Sequence, residues 1–228
     1  MPPSGSRTTP RARRARAGAL LAGLCATGAG APAAVAAATL EVGVTDEMGT
    51  LLEDAVVSVR AGPASLAPPG TVATIDQVER RFAPDVIAVQ AGTSVAFPNS
   101  DDVRHHVYSF SKPNDFQIEL YHGEPGETVR FEHAGIVTLG CNIHDGMIGH
   151  IAVVDTPLFA LSGEDGRAAI GGVPPGDHTL SVWHPDTGAV ELALSVPPDT
   201  MRIERAVSLA VRPAAAQPTN PLQGLFAD

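Results

Sequence analysis

The stretch CNIHDGM at positions 141–147 determines how the rest of this chain is interpreted. It contains a cysteine, a histidine and a methionine, at Cys141, His144 and Met147, with two residues between neighbours. A pair of histidines at 105–106 lies upstream in a separate segment. A short loop that offers a thiolate, an imidazole and a thioether, with a second imidazole from elsewhere, is typical of a site that holds one metal ion.

This combination of ligands favours copper. Two imidazoles and a thiolate in one plane, with a long bond to a methionine, form the type 1 copper sites that transfer single electrons. Zinc is a poorer fit, because a thioether is a weak ligand for zinc. The sequence therefore predicts one copper ion that cycles between Cu(I) and Cu(II). Because successive residues of a strand face opposite sides, only one of His105 and His106 can face this ion.

The first 38 residues have the pattern of a secretory signal peptide. Arginines are concentrated between Arg7 and Arg16, an apolar run covers 17–30, and small residues at 36–38 resemble a cleavage site. We therefore expect export to the periplasm and cleavage after Ala38. Cleavage removes five arginines and no acidic residue, so the formal charge changes from −10 to −15. A surface this acidic disfavours nucleic acid and anionic membranes and favours a basic partner.

Cys141 is the single cysteine of the chain that would remain after this cleavage, since Cys25 lies in the leader. One cysteine cannot form an internal disulfide, and an exposed thiol is a liability in an oxidising compartment. Its presence needs a reason such as burial or metal ligation. Ligation fits better, because His144 and Met147 lie beside it in the sequence.

The pattern along the chain predicts an all-β protein. Glycine (23 residues) and proline (20 residues) are frequent, and no long stretch has the apolar period of a helix. Short alternating or β-branched runs bounded by turn residues are typical of an antiparallel sandwich or barrel. These runs cover residues 40–44, 55–59, 86–89, 94–97, 106–110, 128–131, 136–139, 148–154, 179–183, 190–196 and 202–211. The tail at 213–228 is rich in alanine, proline and glutamine, and we expect it to be disordered.

The predicted strands suggest two β-sandwiches. Segments 39–63 and 156–212, joined end to end, resemble the small regulatory-like or prealbumin-like sandwich that is appended to carboxypeptidases. The metal motif falls between them, in 64–155. We expect this middle section to be a domain inserted into a split accessory sandwich, in which case residues 40–59 pair with strands after residue 160. The alternative is one extended sandwich with extra strands at each end.

Three phrases resemble the cupredoxins, the family of plastocyanin, azurin and amicyanin. They are SVAFPNS (94–100), HHVYSF (105–110) and GCNIHDGM (140–147). The spacing Cys-x2-His-x2-Met is similar to the contracted ligand loop of amicyanin. The phrase FQIELY (116–121) between the halves resembles periplasmic plastocyanin-like proteins often labelled methylamine utilisation proteins. The resemblance implies a Greek-key β-sandwich with a type 1 copper site over 64–155.

The resemblance also implies a role for each ligand. Cupredoxins commonly carry His-Asn-Val where this chain has HHV at 105–107, which makes His105 the ligand and puts His106 in the place of the asparagine. The thiolate and the two imidazoles would form the plane, and the methionine would be the long axial ligand. His144, on the outer loop, would be the point at which electrons enter and leave. The implied ligand set is His105, Cys141, His144 and Met147.

We expect a monomeric periplasmic one-electron carrier that docks transiently to a redox partner, such as a c-type cytochrome or a dehydrogenase. Two alternatives remain open: a copper carrier or storage module without a redox role, and an adhesion or scaffold protein. We do not expect an enzyme, because copper oxidases and nitrite reductases of cupredoxin ancestry need a further cluster of histidines. The remaining histidines show no such tight spacing; they are His122, His133, His150, His178 and His184.

Overall fold

The computed structural model describes residues 37–210, and within this range the chain is all-β, as the sequence predicted. Apart from its last two residues, the expected leader lies outside the described residues, as does the tail at 213–228. No helix in this range is long and apolar enough to cross a membrane. The strands are β1 (Ala38–Asp46), β2 (Val56–Arg60), β3 (Val72–Thr74), β4 (Asp76–Val78), β5 (Arg81–Ala83), β6 (Val86–Gln90), β7 (Thr93–Ala96), β8 (His105–Ser109), β9 (Phe116–Tyr121), β10 (Val129–Phe131), β11 (Gly135–Cys141), β12 (Ile148–Val154), β13 (Phe159–Leu161), β14 (Arg167–Val173), β15 (Gly176–His184), β16 (Gly188–Val196) and β17 (Arg202–Leu209).

Strands from both ends of the described range form one pair of sheets. The first sheet has the order β14-β1-β17 and the second the order β13-β2-β15-β16. Every second residue of β1 is buried, because side chains of a strand alternate between its two faces. Leu40 and Val42 of β1, Val57 of β2, and Leu180 and Leu194 of the second sheet belong to one apolar core.

Strands from the two ends of the described range pair with one another. β1 runs antiparallel to β14 and parallel to β17, and β2 runs antiparallel to β13 and β15. The expected partners lay after residue 160, where β14, β15 and β17 are found, whereas β13 begins at residue 159. The split sandwich and its boundaries at 63 and 156 stay a prediction.

The middle of the chain builds a second pair of sheets with its own core. A five-stranded sheet has the order β6-β12-β11-β8-β9, and a three-stranded sheet has the order β10-β7-β3. β4 and β5 form a separate hairpin. Phe97 of the loop after β7, Phe131 of β10 and Leu139 of β11 pack in one buried cluster, which also contains Cys141 and Met147. Two side chains of the CNIHDGM stretch therefore belong to this apolar core.

A small apolar cluster joins the two pairs of sheets. Val56 of β2 packs with Val86 and Ala152 from the outer part of the five-stranded sheet, and Trp183 covers them. The ring of His150 lies against the ring of Trp183, with centroids 5.6 Å apart. Burial lowers the pKa of His150 below its ordinary value, so the ring is favoured in its neutral form. His150, close to the metal motif in sequence, is thereby assigned to this junction.

Replacing Leu180 by alanine tests the first core. Leu180 is 1% exposed, whereas Leu192, its partner across β15 and β16, is 38% exposed. We expect Leu180→Ala to lower the free energy of unfolding by about 2–5 kcal/mol, because the cavity adds to the lost burial. Urea unfolding followed by circular dichroism gives this value. Leu192→Ala is the matched control and should cost clearly less; equal losses from both would contradict the assigned core.

Candidate metal centre

Two neighbouring strands place the first two candidate ligands side by side. Cys141 is the last residue of β11, and His105 is the first residue of β8. The strands run antiparallel, with Cys141 opposite Val107 and Gly140 opposite Tyr108. The end of one strand therefore lies beside the start of the other. This register brings the thiol and the imidazole together although they are far apart in sequence.

The third candidate ligand comes from the loop between β11 and β12. His144 lies in a tight turn, in which the Met147 amide donates to the His144 carbonyl over 3.2 Å. Gly146 has a φ of +82°, a left-handed conformation that glycine adopts without steric cost. The turn carries the His144 ring back over the end of β11, where it meets Cys141. The local sequence thus accounts for the second half of the site.

Three ligand atoms converge on one point. The Cys141 Sγ lies 3.6 Å from His105 Nδ1 and 3.7 Å from His144 Nδ1, and the two Nδ1 atoms are 3.1 Å apart. A triangle with these sides has a centre about 2.0 Å from each atom, close to the roughly 2.0–2.3 Å that metals keep from imidazole nitrogen and thiolate sulfur. Within residues 37–210 this is the one group of three histidine, cysteine or acidic residues whose ligand atoms lie so close together.

The site takes His105 and leaves His106 outside. His105 is completely buried at the cluster. His106 faces the other side of β8, where its ring lies 5.6 Å from that of Tyr108. Its Nδ1 is buried without a hydrogen-bond partner. The alternation of side chains along a strand separates the two rings, and His105 is the one that the structure brings to Cys141 and His144. That these residues ligate a metal stays a prediction.

Met147 is 3% exposed and belongs to the same apolar cluster as Cys141. It follows the His144 turn in the chain, and its role as an axial ligand stays a prediction. The apolar surroundings keep water from the thiol and limit the movement of the ligands.

The two histidines differ in exposure. His105 is fully buried, whereas His144 is half-buried and reaches the surface. Burial, and the neighbouring His105 and Arg80, lower the pKa of His144 below its ordinary value of 6.5. The neutral imidazole is the form that binds metals, so this shift prepares His144 for a cation.

An aspartate that the sequence analysis did not single out completes the site. Asp101 Oδ2 lies 2.7 Å from His105 Nε2, on the side of the ring away from Cys141. Burial raises the pKa of Asp101, but hydrogen bonds from the Arg80 amide, from His105 and from the Glu79 amide lower it, and the net pKa is below 3.8. Asp101 is therefore a carboxylate. The only sequence signal was an acidic residue shortly before the histidine pair, which is common in loops.

Two glycines beside the motif serve packing. A Cβ on Gly140 would lie 2.9 Å from the Tyr108 ring, and one on Gly149 would lie 3.0 Å from Phe82. The first distance is shorter than real Cβ atoms show and the second is tighter than most of them, so each glycine lets an aromatic ring lie close to the strand. This explains two of the three glycines around the motif, and the turn at Gly146 explains the third.

Other histidines have partners away from the cluster. The His178 ring donates to the Pro174 carbonyl over 2.7 Å, and His184 Nδ1 accepts from the Asp186 amide over 3.2 Å. These contacts hold the ends of β15 within the first pair of sheets.

No protein-family model matches the chain, and no curated protein matches it either. Among solved structures, a copper-containing nitrite reductase from Thermus scotoductus SA-01 is 28% identical over 43% of this chain and 25% of its own length, with a TM-score of 0.35. Pseudoazurin from Methylobacterium extorquens AM1 is 17% identical over 37% of this chain and 76% of its own, with a TM-score of 0.32. A purple cupredoxin from Nitrosopumilus maritimus is 19% identical over 36% of this chain and 98% of its own, with a TM-score of 0.32.

These similarities are to cupredoxins, the family that the sequence motifs resemble. The chain spans only a quarter of the nitrite reductase. At such TM-scores the similarities carry no argument about the site, which rests on its own geometry.

Separate replacement of the two adjacent histidines tests the assignment of ligands. We expect His105→Ala to reduce Cu(II) affinity by more than the roughly 10–100-fold that loss of an outer-sphere partner costs, because it removes a ligand atom. His106→Ala is the matched control and should bind Cu(II) like the parent chain, since its ring faces away from the cluster. Competition titration against a copper chelator measures both. A large loss in His106→Ala with none in His105→Ala would contradict the assignment.

Proposed function

We propose that this chain is an exported copper protein that carries one electron at a time through a type 1 site formed by His105, Cys141, His144 and Met147. The observation that carries the proposal is the convergence of one thiol sulfur and two imidazole nitrogens around a point about 2.0 Å from each, a distance suited to a first-row metal. A thiolate with two imidazoles and a distant thioether is the donor set of blue copper. The bound ion would supply a single reversible redox step between Cu(I) and Cu(II).

The way in which the ligands are held supports electron transfer over storage. Electron transfer is fast when the ligands move little between the two oxidation states. Here His105 and Cys141 are fixed by the pairing of β8 with β11, and Cys141 and Met147 are packed in the apolar core. His144 is fixed by its turn. A storage or delivery site needs an opening through which the ion leaves, whereas Cys141 is 7% exposed and Met147 3% exposed.

His144 offers the path for electrons. It is the one member of the three-residue cluster that is more than marginally exposed. A partner that docks over this ring would come within contact distance of a ligand while the thiolate stays covered. Ile143, beside it, is 51% exposed and adds apolar surface to the same loop.

We infer the partner and the location from the chain's charge and leader pattern. The basic stretch, apolar run and small residues of 1–38 support export to the periplasm. A formal charge of −15 after cleavage supports a basic redox partner, such as a c-type cytochrome or a dehydrogenase, and an association that weakens with salt. We further propose that the chain is a monomer and is not an enzyme. An electron carrier needs only a brief encounter with its partner, and the exposed ring of His144 is enough for that contact.

Titration of the chain from Thr39 with Cu(II) tests the proposal. We expect one equivalent to produce an intense thiolate-to-copper band in the visible spectrum and a type 1 EPR signal, because the thiolate binds Cu(II) directly. Ascorbate should bleach the band, and reoxidation should restore it. Cys141→Ser is the matched control: it should remain folded by circular dichroism but lose the band.

Two outcomes of this titration would contradict the proposal. Bound Cu(II) without the visible band would exclude a type 1 site. Copper that is retained only as Cu(I) and lost on oxidation would favour copper carriage or storage.

A further inference from the structure

We propose that Asp101 is a positioning residue for the metal ligand His105, fixing the ring in its Nε2–H form and favouring Cu(II) over Cu(I). The preference for Cu(II) rests on the proposed function, whereas the form of the ring does not depend on copper. The two parts can therefore be tested separately.

The His105 ring has a defined orientation. Its Nδ1 faces Cys141 and His144, while its Nε2 lies 2.7 Å from Asp101 Oδ2. A neutral imidazole has one N–H and one lone pair. Since Asp101 can only accept, the N–H must be on Nε2, and the lone pair on Nδ1 faces the cluster. The hydrogen bond thus prepares the nitrogen that would bind the metal.

Asp101 is itself held in place by hydrogen bonds. Its Oδ1 accepts from the Glu79 amide over 2.6 Å, and its Oδ2 accepts from the Arg80 amide over 2.9 Å. Its own amide donates to Asn99 Oδ1 over 3.1 Å. Glu79 and Arg80 form the turn between β4 and β5 with φ values of +53° and +60°, which direct both amides at the carboxylate. The turn and the ring share one acceptor group.

Position 101 needs a carboxylate. Three N–H donors, from Glu79, Arg80 and His105, converge on its two oxygens. An asparagine would place an NH2 group against at least one of these donors, and an unpaired donor is costly when it is buried. The Glu79 and Arg80 amides lie at the surface, where water can replace the carboxylate, whereas His105 is completely buried and water offers little compensation for its Nε2–H.

The negative charge of Asp101 would act on a copper ion bound by His105. A negative charge that accepts from the far side of an imidazole makes the facing nitrogen a stronger donor, and it stabilises the more positive ion across a short, poorly solvated distance. Both effects favour Cu(II). Removing the charge while keeping the side chain's shape should therefore shift the equilibrium towards Cu(I).

The test compares Asp101→Asn with Asp102→Asn. Asp102 is the exposed neighbour, so its replacement removes one charge nearby without touching His105. We expect Asp101→Asn to increase the ratio of Cu(I) to Cu(II) affinity at least about tenfold, which raises the reduction potential by about 59 mV for a one-electron couple. Protein-film voltammetry measures the potential. Asp102→Asn should shift it much less; equal shifts, or none, would show that Asp101 has no specific effect on the couple.

A metal-free measurement tests the other half. Nitrogen-15 NMR of the apo chain reports which His105 nitrogen carries the proton. We expect the Nε2–H form in the parent chain and loss of this preference in Asp101→Asn. A His105 with its proton on Nδ1 in the parent chain would overturn the proposal. The measurement on the parent chain decides this half even if the variant does not fold. Failure of the copper titration would overturn the proposed function and the Cu(II) preference that rests on it, but not the form of the ring.

Discussion

The pairing of β8 with β11 is the constraint on which the site depends. It sets Cys141 opposite Val107, so that the end of one strand and the start of its neighbour deliver a thiol and an imidazole to the same place. A shift of one residue would turn either side chain to the opposite face of the sheet. The apolar cluster between the sheets, which contains Phe97 and Phe131, fixes this register. Any other register would expose apolar side chains of this cluster to water. With the thiol and the first imidazole in place, the short turn after β11 brings the His144 ring to them.

From this pair of strands, contacts extend through Asp101 to the β4–β5 hairpin. His105 contacts Asp101, and Asp101 accepts from the turn of a separate hairpin, β4–β5. Phe82 of the same hairpin packs on Gly149, in the strand that follows the ligand loop. The hairpin therefore supports both sides of the cluster, through hydrogen bonds on one side and packing on the other. Side chains held from two sides resist rearrangement, which suits the proposed redox function.

The sequence predicted the parts of this arrangement that are local. Cys141, His144 and Met147 were recognisable because their spacing on one loop fixes their proximity, and the all-β class followed from alternation and turn residues. The choice of His105 over His106 needed a resemblance, since strand alternation excludes one of them without saying which. Asp101 was missed because its role depends on contacts with residues 79 and 80, which no local pattern reveals. Strands such as β3 and β13, with three residues each, were missed because they are too short to show a period.

We propose that the side chains of His105, Cys141 and His144 form one rigid set of ligands for copper. Copper K-edge EXAFS of the oxidised and reduced protein measures this directly. We predict two nitrogens at about 2.0 Å and one sulfur at about 2.3 Å, with each distance changing by less than about 0.2 Å on reduction. A first sphere without sulfur, or one that loses or gains a ligand between the two oxidation states, would contradict the account.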